Sequence, residues 1–313
     1  MKILGNDLDV EVIGFGALNL DKLYHVEDIA CRDEESYIKS LYESPGGSAA
    51  NTIIGLSKLG IKTSYIGKIS EDPDGDVLEL NLAYNEVFTN NLIYSKKGET
   101  GKVIGFVDKL GNRALYVDSG VNDDISIDEI NIQNITVSKI IHFTSFVGDS
   151  FNAQKDLIDK LDENIVLSFD PGTIYVKKGL DELKKILNRT NILLINEKEL
   201  KILYDDSKTV KEIASNLLDY GIEIIVVKKG SNGVFAMNKD GFVDVKAFDA
   251  EVADTTGAGD IFNSGFLYSY LKGYSLLKSC KIANWISSKY IQKFGSDGFP
   301  SIDEVKLFEN EIN

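Results

Sequence analysis

Asp254-Thr255-Thr256-Gly257-Ala258-Gly259-Asp260 sets two carboxylates around a run of small residues, directly ahead of the apolar stretch IFNSGFLYSYL. Gly257 and Gly259 bare backbone amides at what reads as a helix start, where unpaired N–H groups and the helix dipole favour an anion. An ordinary helix start needs one capping residue. A carboxylate as near as Asp260 would repel the anion unless it has its own role. The role that fits is a general base, taking the proton of a hydroxyl that attacks a phosphoryl group held on those amides. The plainer reading is a glycine-rich helix start beside a solvated acid, and residue chemistry alone leaves both open.

Three further turns carry polar groups. In Pro45-Gly46-Gly47-Ser48-Ala49-Ala50-Asn51, Ser48 as an N-cap would add about 1 kcal/mol to the helix that follows. That leaves the diglycine unexplained, and Asn51 is a weak helix former one turn inside. Asn196 and Glu199 follow the apolar strand NILLI. They fit a capping box, and equally a pair of ligand groups at the C-terminal end of a strand. Lys228-Lys229-Gly230-Ser231-Asn232-Gly233 follows IEIIVV and reads first as a hairpin into GVFAM, with a nucleotide-phosphate loop as the alternative.

Other motifs are excluded or weak. There is no G-x-x-x-x-G-K-[ST], so a P-loop enzyme is ruled out by pattern. Gly14-Phe15-Gly16-Ala17-Leu18-Asn19 nearly matches a dinucleotide fingerprint, but Asn19 stands where the third glycine belongs. Its glycines read as a tight exit from a strand, after which Asn19 and Asp21 point to one side of an extended chain. His25, His142, Cys31 and Cys280 are isolated from one another and fit neither zinc spacing nor a disulfide framework.

The elements that must position these turns alternate. DVEVIGF, TSYIGKI, SKIIHF, NIVLSF, NILLIN and IEIIVVK read as strands. SAANTIIGLSKLG, with Ile53, Leu56 and Leu59 on one face, DGDVLELNLAYNEV, FNAQKDLIDKL and VKEIASNLLDY read as helices. Such alternation predicts a mostly parallel sheet covered on both faces. Residues 20–45 and 97–119 are β-prone and charged with no helix between, and predict a small antiparallel sheet serving as a lid. With no repeat or linker and only 4 prolines, residues 1–313 read as one domain.

Bulk properties narrow the partners. With 49 acidic and 34 basic residues the chain carries a net charge of -15, which argues against nucleic acid. No apolar run approaches the roughly 20 residues of a membrane span. MKILGNDLDVEVIG places a lone Lys2 and acids where a signal peptide would be apolar, and the sparse cysteines suit a reducing compartment, so a cytoplasmic location is expected.

Together these pieces resemble the ribokinase family of pfkB-type carbohydrate and nucleoside kinases, in the family's order and almost end to end. Gly46-Gly47 with Asn51, continuing through Leu59-Gly60, Gly67, Asp72 and Gly75, resembles the N-terminal signature, and Asp254 to Asp260 the C-terminal one. Thr100-Gly101, Gly111-Asn112-Arg113 and Gly120-Val121-Asn122 echo the segment between them. Asn196 and Glu199 match N-x-x-E, and Gly230 and Gly233 match G-x-x-G.

The resemblance implies a three-layer α/β/α domain with a β lid that phosphorylates a hydroxymethyl group with ATP and Mg²⁺. It makes Asp260 the base and the amides of Gly257, Ala258 and Gly259 an anion hole. Asn19, Asp21, Gly46, Gly47 and Asn51 would hold the acceptor. Asn196 and Glu199 would organise metal and phosphate through water. Lys228, Gly230, Ser231 and Gly233 would line the nucleotide, and Asn284 would contact adenine. Asp254 matches a position whose backbone helps bind an activating monovalent cation, K⁺, in some members. Paired lids in the family imply a homodimer. Arg113, in the hairpin of the second lid segment, is expected to pair with lid acids, with contact to the acceptor as the alternative.

Departures bear on the acceptor. Gly46-Gly47-Ser48-Ala49-Ala50-Asn51 replaces the G-G-K-G-A-N of ribokinases proper, and Asp170-Pro171-Gly172 stands where ketose kinases have D-x-N-x-R. A small sugar is the expected acceptor, a nucleoside the alternative with the same hydroxymethyl group. A catalytically silent sugar- or nucleotide-binding protein on this fold is the alternative of a different class; loss of Asp260 or of a glycine of the turn would have signalled it, and all are present.

Overall fold

The alternating apolar runs fold into two sheets flanked by helices. In the computed structural model residues 10–204, 207–293 and 295–312 are described; the segment around Lys2 lies outside them. In chain order, β1 (Val12–Phe15), β2 (Asn19–Val26) and β3 (Ile38–Gly46) lead into α1 (Ser48–Lys58) and β4 (Thr63–Ser70). Next come α2 (Pro73–Tyr84), β5 (Leu92–Ser95), β6 (Lys102–Val107) and β7 (Arg113–Asp118). β8 (Ile140–Thr144), α3 (Ser150–Ile158), β9 (Val166–Asp170), α4 (Gly172–Val176), α5 (Leu180–Leu187) and β10 (Ile192–Asn196) follow. Then come α6 (Glu197–Leu203), α7 (Val210–Leu218), β11 (Ile224–Lys228), β12 (Val234–Asn238) and β13 (Gly241–Val245). The last helices are α8 (Ala258–Leu271), α9 (Leu276–Tyr290) and α10 (Ile302–Glu311).

The large sheet has the order β13-β12-β11-β10-β9-β8-β1-β4-β5. It is parallel from β11 to β5, and antiparallel at β11–β12 and β12–β13. β8, β9 and β10 are buried almost end to end, which is why they read as unbroken apolar runs. Successive residues enter opposite layers. Ile141, Leu193 and Ile195 join the core beneath α3–α7, while Ile140, Ile192 and Leu194 join the core beneath α1, α8 and α9. The result is a three-layer α/β/α body. Each aliphatic side chain buried this way contributes roughly 1.5–3 kcal/mol of transfer free energy, set against the chain entropy lost on ordering.

α1 buries Ile53, Leu56 and Leu59 as its helical spacing predicts. Its N-cap is Gly47, not Ser48, and no side chain caps it. The chain enters at φ 124, a conformation open to glycine and strained for other residues, so the cap position falls one residue earlier. Gly55 lets α1 approach α8, since a Cβ there would lie 2.5 Å from Ser264 Oγ. That close approach brings Asn51 to the first turn of α8.

The two β-prone segments meet in one four-stranded sheet of order β3-β2-β6-β7. β2–β3 and β6–β7 are antiparallel hairpins, joined by parallel pairing of β2 with β6. Tyr24 stacks on Phe106 across that seam, centroids 5.6 Å apart. The small sheet is tied to the body at its root. Asp72 accepts from the Thr100 amide at 2.8 Å and from its hydroxyl at 2.7 Å, and Lys22 bridges to Asp74 at 2.8 Å. Arg113 stands exposed at the start of β7, and no ion pair is described for it. The β6–β7 turn beside it folds on Asp108, which accepts from the Leu110 and Asn112 amides.

Candidate functional site

Gly257, in the left-handed region at φ 73, caps α8 and turns the chain so that Asp260 falls in the first helical turn. Asp260 Oδ2 accepts from Asn51 Nδ2 at 2.9 Å, and Thr52 Oγ1 donates to the Asp260 carbonyl at 3.2 Å. The carboxyl keeps some access to solvent yet is densely surrounded by protein. Burial pushes its pKa up to about 7; the charges of Asp170 and Glu199 push the same way, against Asn51 and Lys228. Of the amides in the turn, that of Ala258 bonds back to the Thr255 carbonyl at 3.1 Å. Asp254 accepts from the Thr256 amide at 2.9 Å, and its own amide donates to Ile291 O at 3.2 Å.

The diglycine and β2 form the next wall. Asn19 pairs with Gly46 and Asp21 with Ser44. A Cβ on Gly46 would lie 2.7 Å from Asp21 Oδ2, and one on Gly47 would lie 2.3 Å from Ala17 O. Gly47 is therefore required by close approach to backbone, while a side chain at Gly46 would have to displace the Asp21 carboxyl. Burial pushes the Asp21 carboxyl up to about 6. Asn122 closes the small turn Gly120-Val121-Asn122. Here it clamps the root of β2, accepting from Leu18 N at 3.0 Å and donating to Leu18 O at 2.7 Å and Asn19 Oδ1 at 3.0 Å.

At the C-terminal ends of β10 and β11 lies a cavity of about 620 Å³, lined among others by Asn196, Lys198, Lys201, Lys228, Lys229 and Gly230. Four lysines on one cavity stand out in so acidic a chain. Asn196 and Glu199 do form the capping box, Asn196 Oδ1 accepting from Glu199 N at 2.8 Å. Asn196 nonetheless lines the cavity, so the structural role does not exclude the ligand one. Glu199 is buried, accepts from Thr173 Oγ1 at 3.1 Å, and has its pKa raised by burial and by Asp170. Gly230, Ser231 and Gly233 do belong to the β11–β12 hairpin, closed by Lys229 N to Gly233 O at 2.8 Å. Asn284 is buried, its amide nitrogen 3.3 Å from Val245 O and 3.1 Å from Lys246 O. The structure thus uses this amide to hold the exit of β13.

Sequence reasoning missed the floor between these walls. Lys228 Nζ donates to Asp170 Oδ2 at 2.7 Å and to Asn263 Oδ1 at 3.0 Å, and Asn263 Nδ2 donates to the same Asp170 oxygen at 2.7 Å. Burial alone would raise the Asp170 pKa, but Lys228 and these hydrogen bonds outweigh it and hold the carboxyl below its usual range. Asn263 had one legible signal, a polar residue one helical turn after Asp260 in an otherwise apolar run. Behind this floor His142 is fully buried, its Nδ1 3.0 Å from Ser168 Oγ, and burial pushes its pKa down to about 4. Among the described residues no group of three or more His, Cys, Asp or Glu could hold a metal ion.

The arrangement can hold an anion near Gly257–Gly259, take a proton at Asp260 and seat a polyhydroxyl compound on β2. Comparison with known proteins identifies the family. Residues 10–302 match the description pfkB family carbohydrate kinase. An uncharacterized sugar kinase of Archaeoglobus fulgidus is 41% identical over 256 residues, 80% of this chain and 100% of that protein. A nucleoside kinase of Methanocaldococcus jannaschii is 30% identical over 300 residues, 93% of each chain. The fold superposes on Arabidopsis thaliana ribokinase, solved with ribose and ATP, at a TM-score of 0.85 and 21% identity, covering 96% of this chain and 98% of that one.

Proposed function

The chain belongs to the pfkB family of carbohydrate kinases and is a sugar or nucleoside kinase of the ribokinase type; from that premise we propose that it transfers the γ-phosphate of ATP to the hydroxymethyl group of a small sugar. The observation that carries this reading is the Asp260 carboxyl, pushed up to about 7 beside a left-handed glycine turn and bonded to Asn51. A base near neutrality next to an anion-binding turn suits proton removal from an alcohol during phosphoryl transfer.

In this mechanism Asn19, Asp21 and Asn51 seat the acceptor hydroxyls over Gly46 and Gly47. The amide of Ala258 is already bonded to the Thr255 carbonyl, so the amides of Gly257 and Gly259 are the ones that would meet the phosphoryl group, and Asp260 receives the hydroxyl proton. Asn196, Lys228, Gly230, Ser231 and Gly233 surround the nucleotide, with Asn284 toward its base. Residues 1–313 act as one kinase domain whose small sheet covers the acceptor and excludes water.

Mg²⁺ fits as an ion carried in on nucleotide phosphates rather than caged by protein, because no described cluster supplies three anionic ligands. Glu199, with Asn196, would meet it through water, and the ion would neutralise phosphate charge. K⁺ would be met by the backbone around Asp254, which the amides of Ala253 and Asp254 anchor to Ile291 O.

Exposed Leu41 and Tyr42 on β3, and Leu115, Tyr116 and Val117 on β7, support a homodimer formed through the small sheets. A one-chain mass by light scattering at working concentration would remove the dimer from this reading. Exposed Cys31 and buried Cys280, both free thiols, support the cytoplasm.

The nucleoside reading rests on the 30% identical nucleoside kinase, and differs in acceptor only. ATP consumption across sugars and nucleosides with Mg²⁺, with and without K⁺, tests both. Turnover with a sugar supports the first, turnover confined to nucleosides the second. Acceptor binding without any turnover would leave a silent binding protein.

A further inference from the structure

Lys228, Asp170 and Asn263 come from β11, β9 and α8 and close a ring of hydrogen bonds on the cleft floor, with nitrogen–oxygen distances of 2.7, 3.0 and 2.7 Å. A lysine ammonium has three N–H donors. Two are committed to this ring, and one remains. A Cβ on Gly259 would lie 3.5 Å from Lys228 Nζ. The absent side chain at Gly259 therefore leaves the ammonium and the amides of the α8 turn open to the same space.

A pair that served stability alone would gain little from being ionic, since buried pairs are often matched by apolar packing. This pair is also not sealed. The Lys228 side chain keeps 14% of its accessible surface, and it forms part of the cavity wall. Asn263 lies one helical turn after Asp260, so α8 sets the position of both the carboxyl and the ring.

Resting on the kinase reading above, we propose that Lys228 is a catalytic residue of phosphoryl transfer, and that Asp170 and Asn263 are positioning residues that hold its ammonium against the transferred group. The acceptor oxygen bonds to the γ-phosphorus as the bond from that phosphorus to the bridging oxygen breaks. The hydroxyl proton passes to Asp260, and the electron pair of the broken bond leaves with ADP. Lys228 keeps its proton. Its fixed charge offsets the negative charge spread over the equatorial oxygens, and a charge already in place needs no reorganisation at the moment of reaction. The ring is what keeps a long, flexible side chain from wandering.

The test uses the full chain with ATP, Mg²⁺ and whichever acceptor of a sugar and nucleoside panel the wild type phosphorylates, with ATP affinity measured separately by calorimetry. Lys228→Met should cut kcat by roughly 10²–10³-fold, the scale for loss of one oriented transition-state stabiliser, while the ATP Kd changes far less. Lys228→Arg should regain part of that loss, since it keeps the charge but not the compact geometry. Asp170→Asn strips the buried lysine of its counter-charge and could fail to fold, so Asn263→Ala is the second variant. It should lower kcat by about 10-fold or more through misplacement, with ATP Kd near wild type and a folded protein whose melting temperature falls only modestly, as loss of buried hydrogen bonds entails. If Lys228→Met weakens ATP as much as it lowers kcat/KM and leaves kcat intact, the lysine is only a nucleotide ligand and the proposal falls. An active wild type with equally active variants overturns this proposal alone. A wild type that binds ATP but phosphorylates nothing overturns the kinase reading, and this proposal with it.

Discussion

Asn51 Nδ2 lies 2.9 Å from Asp260 Oδ2, a contact between residues 209 positions apart. It lets α1, which starts at the diglycine, orient a carboxyl carried by α8. With one oxygen accepting from Asn51, the other is the one that would take the proton in the proposed reaction. The same bond favours the charged carboxylate and so opposes the effect of burial.

Replacing Asp260 by Asn keeps the shape and removes the proton acceptor. Asp260→Asn should lower kcat by roughly 10²–10⁴-fold, the usual range for a general base. ATP and acceptor should still bind. Near-normal turnover of the true acceptor would show that the carboxyl is a bystander in a glycine-rich helix start.

The pH–rate profile should report the same group. With Asp260 as the proposed base the active form is the charged carboxylate, so kcat/KM should rise with pH through a midpoint near 7. Asn51→Ala removes an interaction that lowers this pKa, and should move the midpoint upward. It should also raise the acceptor KM by the equivalent of about 1–3 kcal/mol while sparing ATP affinity. An unmoved midpoint, or an equal loss of ATP affinity, would reduce Asn51 to a support of the fold.

Stability should carry the opposite sign from activity. The folded-state pKa of Asp260 is raised from 3.8 to about 7, so between those values the native state holds more protons than the unfolded chain. Stability from this group is therefore greatest at low pH and is lost as pH climbs toward 7. Asp260→Asn should raise the melting temperature at pH 8, and the gain should shrink as pH falls toward the ordinary carboxylate range. Calorimetric scans at several pH values would show it, and a gain independent of pH would contradict it.

Two glycine variants separate the acceptor wall from general backbone strain. Gly46→Ala places a methyl 2.7 Å from Asp21 Oδ2, so it should displace that carboxyl and raise the acceptor KM with little change in ATP affinity. Gly60→Ala meets nothing within 4 Å but sits at φ 80. It should cost roughly 1 kcal/mol or more in stability through strain, with KM unchanged. Equal KM for Gly46→Ala and wild type would mean Asp21 does not contact the acceptor.

The main strands and helices were legible because burial on two faces leaves unbroken apolar runs, and burial on one face leaves helical spacing. What local pattern does not encode is which elements meet. Asp170, Lys228 and Asn263 join across separations of 58, 35 and 93 positions, and no spacing rule links a strand end, a second strand end and the second turn of a distant helix. Ser48 misled for a different reason. Its type suits a cap, but the backbone conformation one residue earlier decides where the helix begins. Asn196 shows the converse, one side chain serving both readings at once.

β2 and β6 pair in parallel from Leu20 opposite Lys102 to His25 opposite Val107. Parallel neighbours cannot be joined by a tight turn, and β3, α1, β4, α2 and β5 lie between them in the chain. Each hairpin can form on its own, but their union must wait until the body has gathered both, and that closure carries an entropic cost that slows it. Order of assembly and ease of opening should match. Amide hydrogens of β2 and β6 should exchange at lower opening free energy than those of β8, β9 and β10. The strand that carries Asn19 and Asp21 would thus form later and open earlier than the central strands, so the residues proposed to hold the acceptor would sit on a segment more labile than the sheet beneath them.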